Sequence, residues 1–243
     1  MRRKRYNLTW VLIPIFLCVA MGISAGVYDL DIIDTPKAYT GYRGDLHFDF
    51  TVYDDGGILT SGALSIADWA FFGIYFDIGN FIGSGSMTFN QPGVLARFLL
   101  SDGRGRMPAI ALGYSYFMKG EEGKVNGTIV TGPYLVVSHV YYLFRAEQNL
   151  SWGFRYPLLP ISYSDIENST VFIGTDIELS PGFSLKGEIE NIHFVQGRWQ
   201  ENYYNIGFDF TIVDLLSIMF ELKYSPSVDV IERNLSIGYF TQF

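Results

Sequence analysis

After its first 26 residues the chain has no run of about 20 uninterrupted apolar residues, so it cannot cross a membrane as helices. It carries instead a succession of segments of roughly ten residues that alternate in polarity and are separated by turn residues. Strand side chains point to opposite faces in turn, so each segment is greasy on one side and polar on the other. Lipid offers no hydrogen bonds, and strands satisfy their backbones there only by closing into a barrel. The predicted fold is therefore all-β, a transmembrane antiparallel up-and-down β-barrel of about 12 strands.

The alternation can be followed residue by residue. In residues 44–53, Leu46, Phe48, Phe50 and Val52 share one face, opposite Asp45, His47, Asp49 and Thr51. Residues 71–79 set Phe72, Ile74, Phe76 and Ile78 against Gly73, Tyr75 and Asp77, and Leu150, Trp152, Phe154 and Tyr156 oppose Ser151, Gly153 and Arg155. Further strands are predicted at 58–66, 94–100, 109–117, 171–179, 183–194, 203–212 and 216–224, with loops at 80–93 and 120–132. In residues 134–144 both faces are largely apolar, and the pattern does not say which one points inward. The last strand, residues 233–243, carries Leu235, Ile237, Tyr239, Thr241 and Phe243 on one face and ends the chain on an aromatic residue. It resembles the closing strand of bacterial outer-membrane barrels, which implies that Tyr239 and Phe243 form an assembly signal for the barrel-assembly machinery.

The amino terminus reads as a secretory signal over residues 1–26. Arg2, Arg3, Lys4 and Arg5 precede an apolar core at 11–21, and Ser24, Ala25 and Gly26 supply small residues for cleavage. Cys18, the chain's one cysteine, leaves with that segment, so no disulfide is expected. Residues 27–43 are expected to be a periplasmic lead-in, and residues 44–243 the outer-membrane barrel. Loss of the four leading basic residues takes the net charge from −8 to −12, which argues against a nucleic-acid partner. Only 17% of residues are charged, against about a quarter in soluble domains. A soluble barrel with its apolar faces turned inward would need a charged exterior, whereas many polar-face positions here are Gly, Ser and Thr. With both barrel termini in the periplasm, the turns at 67–69, 101–107, 145–149, 180–182 and 213–214 are periplasmic.

Several short motifs occur in a recognisable order. They are DTPKAYTGYRG (34–44), YDDGGIL (53–59), NFIGSG (80–85), QPGVLARFLL (91–100), PAIALGY (108–114) and YLVVSH (134–139). In these the amino-terminal half resembles the YjbH-like outer-membrane proteins associated with exopolysaccharide. The resemblance implies a bacterial outer-membrane location and a tie to exported polysaccharide or to periplasmic export components. The familiar members are longer, so this chain is a single-barrel relative.

No catalytic residues are predicted. Ser138 and His139 are adjacent in a strand and so face opposite ways, and His47 and His193 have no nucleophile placed beside them by the sequence. Three scattered histidines offer no metal spacing, no cofactor is implied, and Asp54-Asp55-Gly56-Gly57 reads as a turn. The candidate site is the charged set on the non-lipid face. Its acids are Asp45, Asp49, Asp77, Asp176, Glu178, Glu188, Glu190, Asp209 and Glu221; its bases are Arg97, Arg155, Lys186 and Lys223. These residues can line an acidic pore or cross the lumen as a plugging network, and the sequence leaves both open. Three functions follow: a non-enzymatic barrel assisting exopolysaccharide export or envelope organisation, a small cation-preferring pore, and a lipid-modifying barrel enzyme.

Overall fold

The computed structural model describes residues 29–103, 107–120, 128–143, 146–156, 169–193, 202–213 and 215–243. The leader at 1–26 lies outside these residues. The strands are β1 (Asp45–Tyr53), β2 (Gly57–Ala67), β3 (Ala70–Gly79), β4 (Thr88–Phe89), β5 (Gly93–Asp102), β6 (Ala109–Lys119) and β7 (Thr128–Leu143). They continue with β8 (Ala146–Arg155), β9 (Thr170–Ser180), β10 (Phe183–His193), β11 (Tyr203–Ile212), β12 (Leu216–Ser225) and β13 (Val230–Gln242).

Each strand pairs antiparallel with its sequence neighbours, except that β4 is a two-residue addition to the outer end of β3 and β5 takes the next place in the wall. The ring closes where β1 meets β13, in register from Asp45↔Gln242 to Val52↔Leu235. Twelve strands thus form a closed up-and-down barrel, and closure leaves no open wall edge. The alternation read from the sequence sets the two faces. Phe48, Phe50, Phe72, Ile74, Phe76, Trp152, Ile206 and Phe208 stand outward, while His47, Asp77, Ser151, Arg155, Asn205 and Asp209 are buried in the lumen.

Three expectations need correction. The turn at 145–149 is shorter than predicted, because Ala146, Glu147, Gln148 and Asn149 already pair with β7 in β8. The loop at 120–132 is likewise shorter, with β7 starting at Thr128 and pairing there with Lys119. The third correction concerns the lead-in. Residues 29–40 run inside the barrel, where their charged side chains find partners on the inner wall, and Tyr42 and Arg43 lie exposed at its end. Within β7, Tyr134, Val136 and Ser138 turn inward, and Leu135 and His139 outward. Hydrophobicity could not have sorted them, since Tyr134 and Val136 pack on Ala38 of that inner segment.

Candidate functional site in the lumen

The segment at 29–43 folds as a hairpin. Asp31 bridges Pro36, Ile32 N–H donates to the Thr35 carbonyl at 2.8 Å, and Lys37 N–H donates to the Leu30 carbonyl at 3.0 Å. Its returning arm leaves at the end of the barrel that carries both wall termini. There Thr40 donates to the Asp68 carbonyl, Arg43 N–H donates to Asp68 Oδ1, and Gly44 N–H donates to the Ser65 carbonyl.

Four ion pairs join the hairpin to four different strands. Asp29 meets Lys186 on β10, Asp31 meets Arg97 on β5 at 2.6 Å, Asp34 meets Lys223 on β12 at 2.7 Å, and Lys37 meets Asp176 on β9 at 2.8 Å. Glu188 on β10 clasps the tip, accepting the backbone N–H groups of Ile33, Asp34 and Thr35 at 2.9–3.2 Å. Three otherwise unpaired backbone donors are thereby satisfied inside the lumen. Arg97 is fully buried and also donates to the Leu30 and Tyr39 carbonyls and to the Tyr134 hydroxyl. Shape reinforces charge at the tip. A Cβ on Gly174 of β9 would stand 2.7 Å from Ile32 Cδ1, and one on Gly207 of β11 would stand 3.1 Å from Ile33 Cδ1. The wall is therefore glycine where these two isoleucines seat.

The predicted charged residues fall around this hairpin. Asp209 shares Lys186 with Asp29, and Glu190 shares Lys223 with Asp34. Arg155 lies over the rings of Tyr134 and Phe172. Asp77 accepts from the Tyr53 hydroxyl, Asn90 and Gly120 N–H, and Asp49 accepts from Ser61. Glu221 is buried, Asp45 accepts from Tyr42 N–H, and half-buried Glu178 stands in register with Glu147. Asp34, Glu188 and Glu190 bring carboxylate oxygens within 4.8 Å of one another, the spacing of a metal cluster. Their oxygens are engaged by Lys223, by Asn205 and by the hairpin backbone, so the geometry fits a clasp.

Sequence reasoning passed over Lys119 and Glu232, both buried on the inner face. Lys119 is in phase with Ala109 and Ala111 and became visible only when β6 extended two residues past Phe117. Glu232 is in phase with Asn234, just before the predicted start of the last strand. The hairpin's own charges were missed because residues 29–43 show no alternation and contain Pro36.

Beside the hairpin remains a cavity of about 130 Å³, lined by Asp49, Asp209, Glu221 and Arg155 among others. At ~10–15 Å³ per water of such volume it has room for several waters. His47 borders it and packs edge-on against Phe240 with ring centroids 5.0 Å apart. Ser138 is bound to Ser151 at 2.6 Å and to Ala38 N–H, while His139 faces away from it. Ser138 and His139 therefore form no nucleophile–base pair.

Burial alone would raise the Asp34 carboxyl, but Lys223 beside it, with Lys119 and Arg155 further off, holds it down at about 2. A depressed carboxyl contributes stability above its unfolded value and loses it as pH falls through the folded one. Asp34 should therefore grip fully above pH 3.8 and release progressively toward pH 2. We expect the Asp34→Asn barrel to lose less hairpin protection than the wild type over that acid window, measured by hydrogen exchange at residues 32–37. Identical acid sensitivity of the two proteins would contradict the pairing.

No protein-family model matches the chain, and no curated protein matches it in sequence. Solved structures do match in fold. A KdgM porin aligns with TM-score 0.52 and 12% identity over 80% of this chain and 98% of its own. Omp33, an outer-membrane protein of Acinetobacter baumannii, aligns with TM-score 0.51 and 10% identity over 83% and 98%. At such identities the likeness is one of fold, and that fold is the porin-like β-barrel of the bacterial outer membrane.

Proposed function

We propose that this protein is a non-enzymatic outer-membrane barrel whose own hairpin keeps the lumen closed, and that it assists exopolysaccharide export or the organisation of the envelope. The observation that carries the closed-barrel reading is the hairpin at 29–43, tied to four strands by ion pairs. A barrel of about twelve strands is wider than the eight-stranded kind that side chains alone can fill, so an inserted segment is what closes it. The link to polysaccharide draws support from the resemblance to YjbH-like proteins. The stretch DTPKAYTGYRG, at 34–44, is the returning arm of this hairpin and makes its contacts through Asp34, Thr35, Lys37, Ala38 and Thr40. The test is a deletion strain complemented with the wild-type gene. Surface polysaccharide should fall on deletion and return on complementation; normal polysaccharide in the deletion strain would count against the role.

A second reading, a small cation-preferring pore, is favoured by the cavity that Asp49, Asp209 and Glu221 line beside the hairpin. It predicts a small cation-selective conductance from the intact chain in planar bilayers, and steady anion selectivity would contradict it.

A further inference from the structure

We propose that the hairpin is a displaceable plug, and that its withdrawal gives the barrel a second, conducting state preferring small hydrated cations over anions. This goes beyond the polysaccharide role and does not depend on it.

The wall is complete without the hairpin. β1 pairs with β13 on one side and β2 on the other, and among the described residues the hairpin adds no strand to the sheet. Withdrawal therefore breaks no ladder hydrogen bond. The grip is in large part polar. Leu30, Ile32, Pro36 and Ala38 are buried, and half-buried Ile33 and Tyr39 pack on the wall, but four ion pairs and the clasp of Glu188 on the tip are contacts that water can replace. The exit is in place as well. The strap joining hairpin to wall passes through Gly41 and Gly44, both at positive φ (72° and 91°), where backbone direction can change with little steric cost.

Wall charge sets the preference of the open state. Lys186 and Lys223 keep wall partners, Asp209 and Glu190, when the hairpin leaves. Asp176 loses Lys37, and Glu188 loses the three N–H groups of the tip. Freed carboxylates lining a water-filled passage attract cations.

The full-length protein can be tested in planar bilayers under a salt gradient. Ile32→Glu alters the tip without touching the wall, and Gly174→Leu fills the tip's seat from the wall side. Each should raise conductance several-fold over wild type, with reversal potentials showing cation preference. Asp34→Lys should do the same, and adding Lys223→Asp should return conductance toward the closed level by restoring the pair in reverse. Folding is checked by the heat-dependent gel mobility of the barrel. The Ile32→Glu variant keeps every wall residue, so it decides the matter even should Gly174→Leu fail to fold. Folded Ile32→Glu barrels that conduct no more than wild type would overturn the plug, and anion selectivity in the opened variants would overturn the stated preference.

Discussion

Lysine in place of Phe208 is expected to lower the barrel's resistance to unfolding by about 2–4 kcal/mol. Phe208 stands outward near the middle of β11, in register with Leu185 on one side and Phe220 on the other. The side chain is 41% exposed because that face meets lipid. An ammonium there has to be desolvated or drag water and headgroups toward it, and no wall carboxylate can reach it. Lysine at Thr51 should cost far less, because Thr51 faces the cavity that Asp49 also lines. Urea unfolding of the two variants in detergent or bilayers makes the comparison. Equal losses would mean that the inside–outside assignment is wrong.

Removing Lys223 should have the next largest effect. Lys223→Met leaves Asp34 and Glu190 facing each other with no cation between them, in a site where Lys223 is only 1% exposed. Stranding buried carboxylates in this way costs about 3–5 kcal/mol when the structure cannot escape it. Here it can, since Asp34 belongs to the hairpin and Glu190 to the wall. Withdrawing the hairpin returns Asp34 to water at the expense of the other hairpin contacts. The loss should therefore appear as hairpin release well before barrel unfolding: hydrogen exchange at 32–37 speeds up while the strands stay protected. Simultaneous loss of protection in hairpin and strands would instead show that hairpin and wall unfold as one unit.

Much of the wall was legible because lipid imposes a strict rule on strands. Phe48, Phe72, Phe154 and Phe208 could be placed outward from alternation alone, and the pairing of Asp45–Val52 with Leu235–Gln242 follows from the need to close. The rule failed where a third element intervenes. Tyr134 and Val136 read as lipid-facing candidates as readily as Leu135 and Val137, because what they pack on, Ala38, is nearly a hundred residues earlier in the chain. The charged set was legible as a face and not as a network. Arg97, Lys186 and Lys223 were visible on the inner side, but nothing local in the sequence says that Asp31, Asp29 and Asp34 come to meet them. Those aspartates lie in a segment without periodicity, whose path is fixed by long-range charge pairing and by the seats at Gly174 and Gly207.

Residues 29–40 occupy the lumen, and thiol labelling tests this most directly. Ile32, buried at the hairpin tip, can be changed to cysteine in a Cys18→Ser background, so that it is the chain's one thiol. In the folded barrel Ile32→Cys should react with a bulky membrane-impermeant maleimide far more slowly than Asp55→Cys in the exposed β1–β2 turn, and unfolding in denaturant should abolish the difference. Labelling of Ile32→Cys as fast as Asp55→Cys in the folded protein would contradict the account.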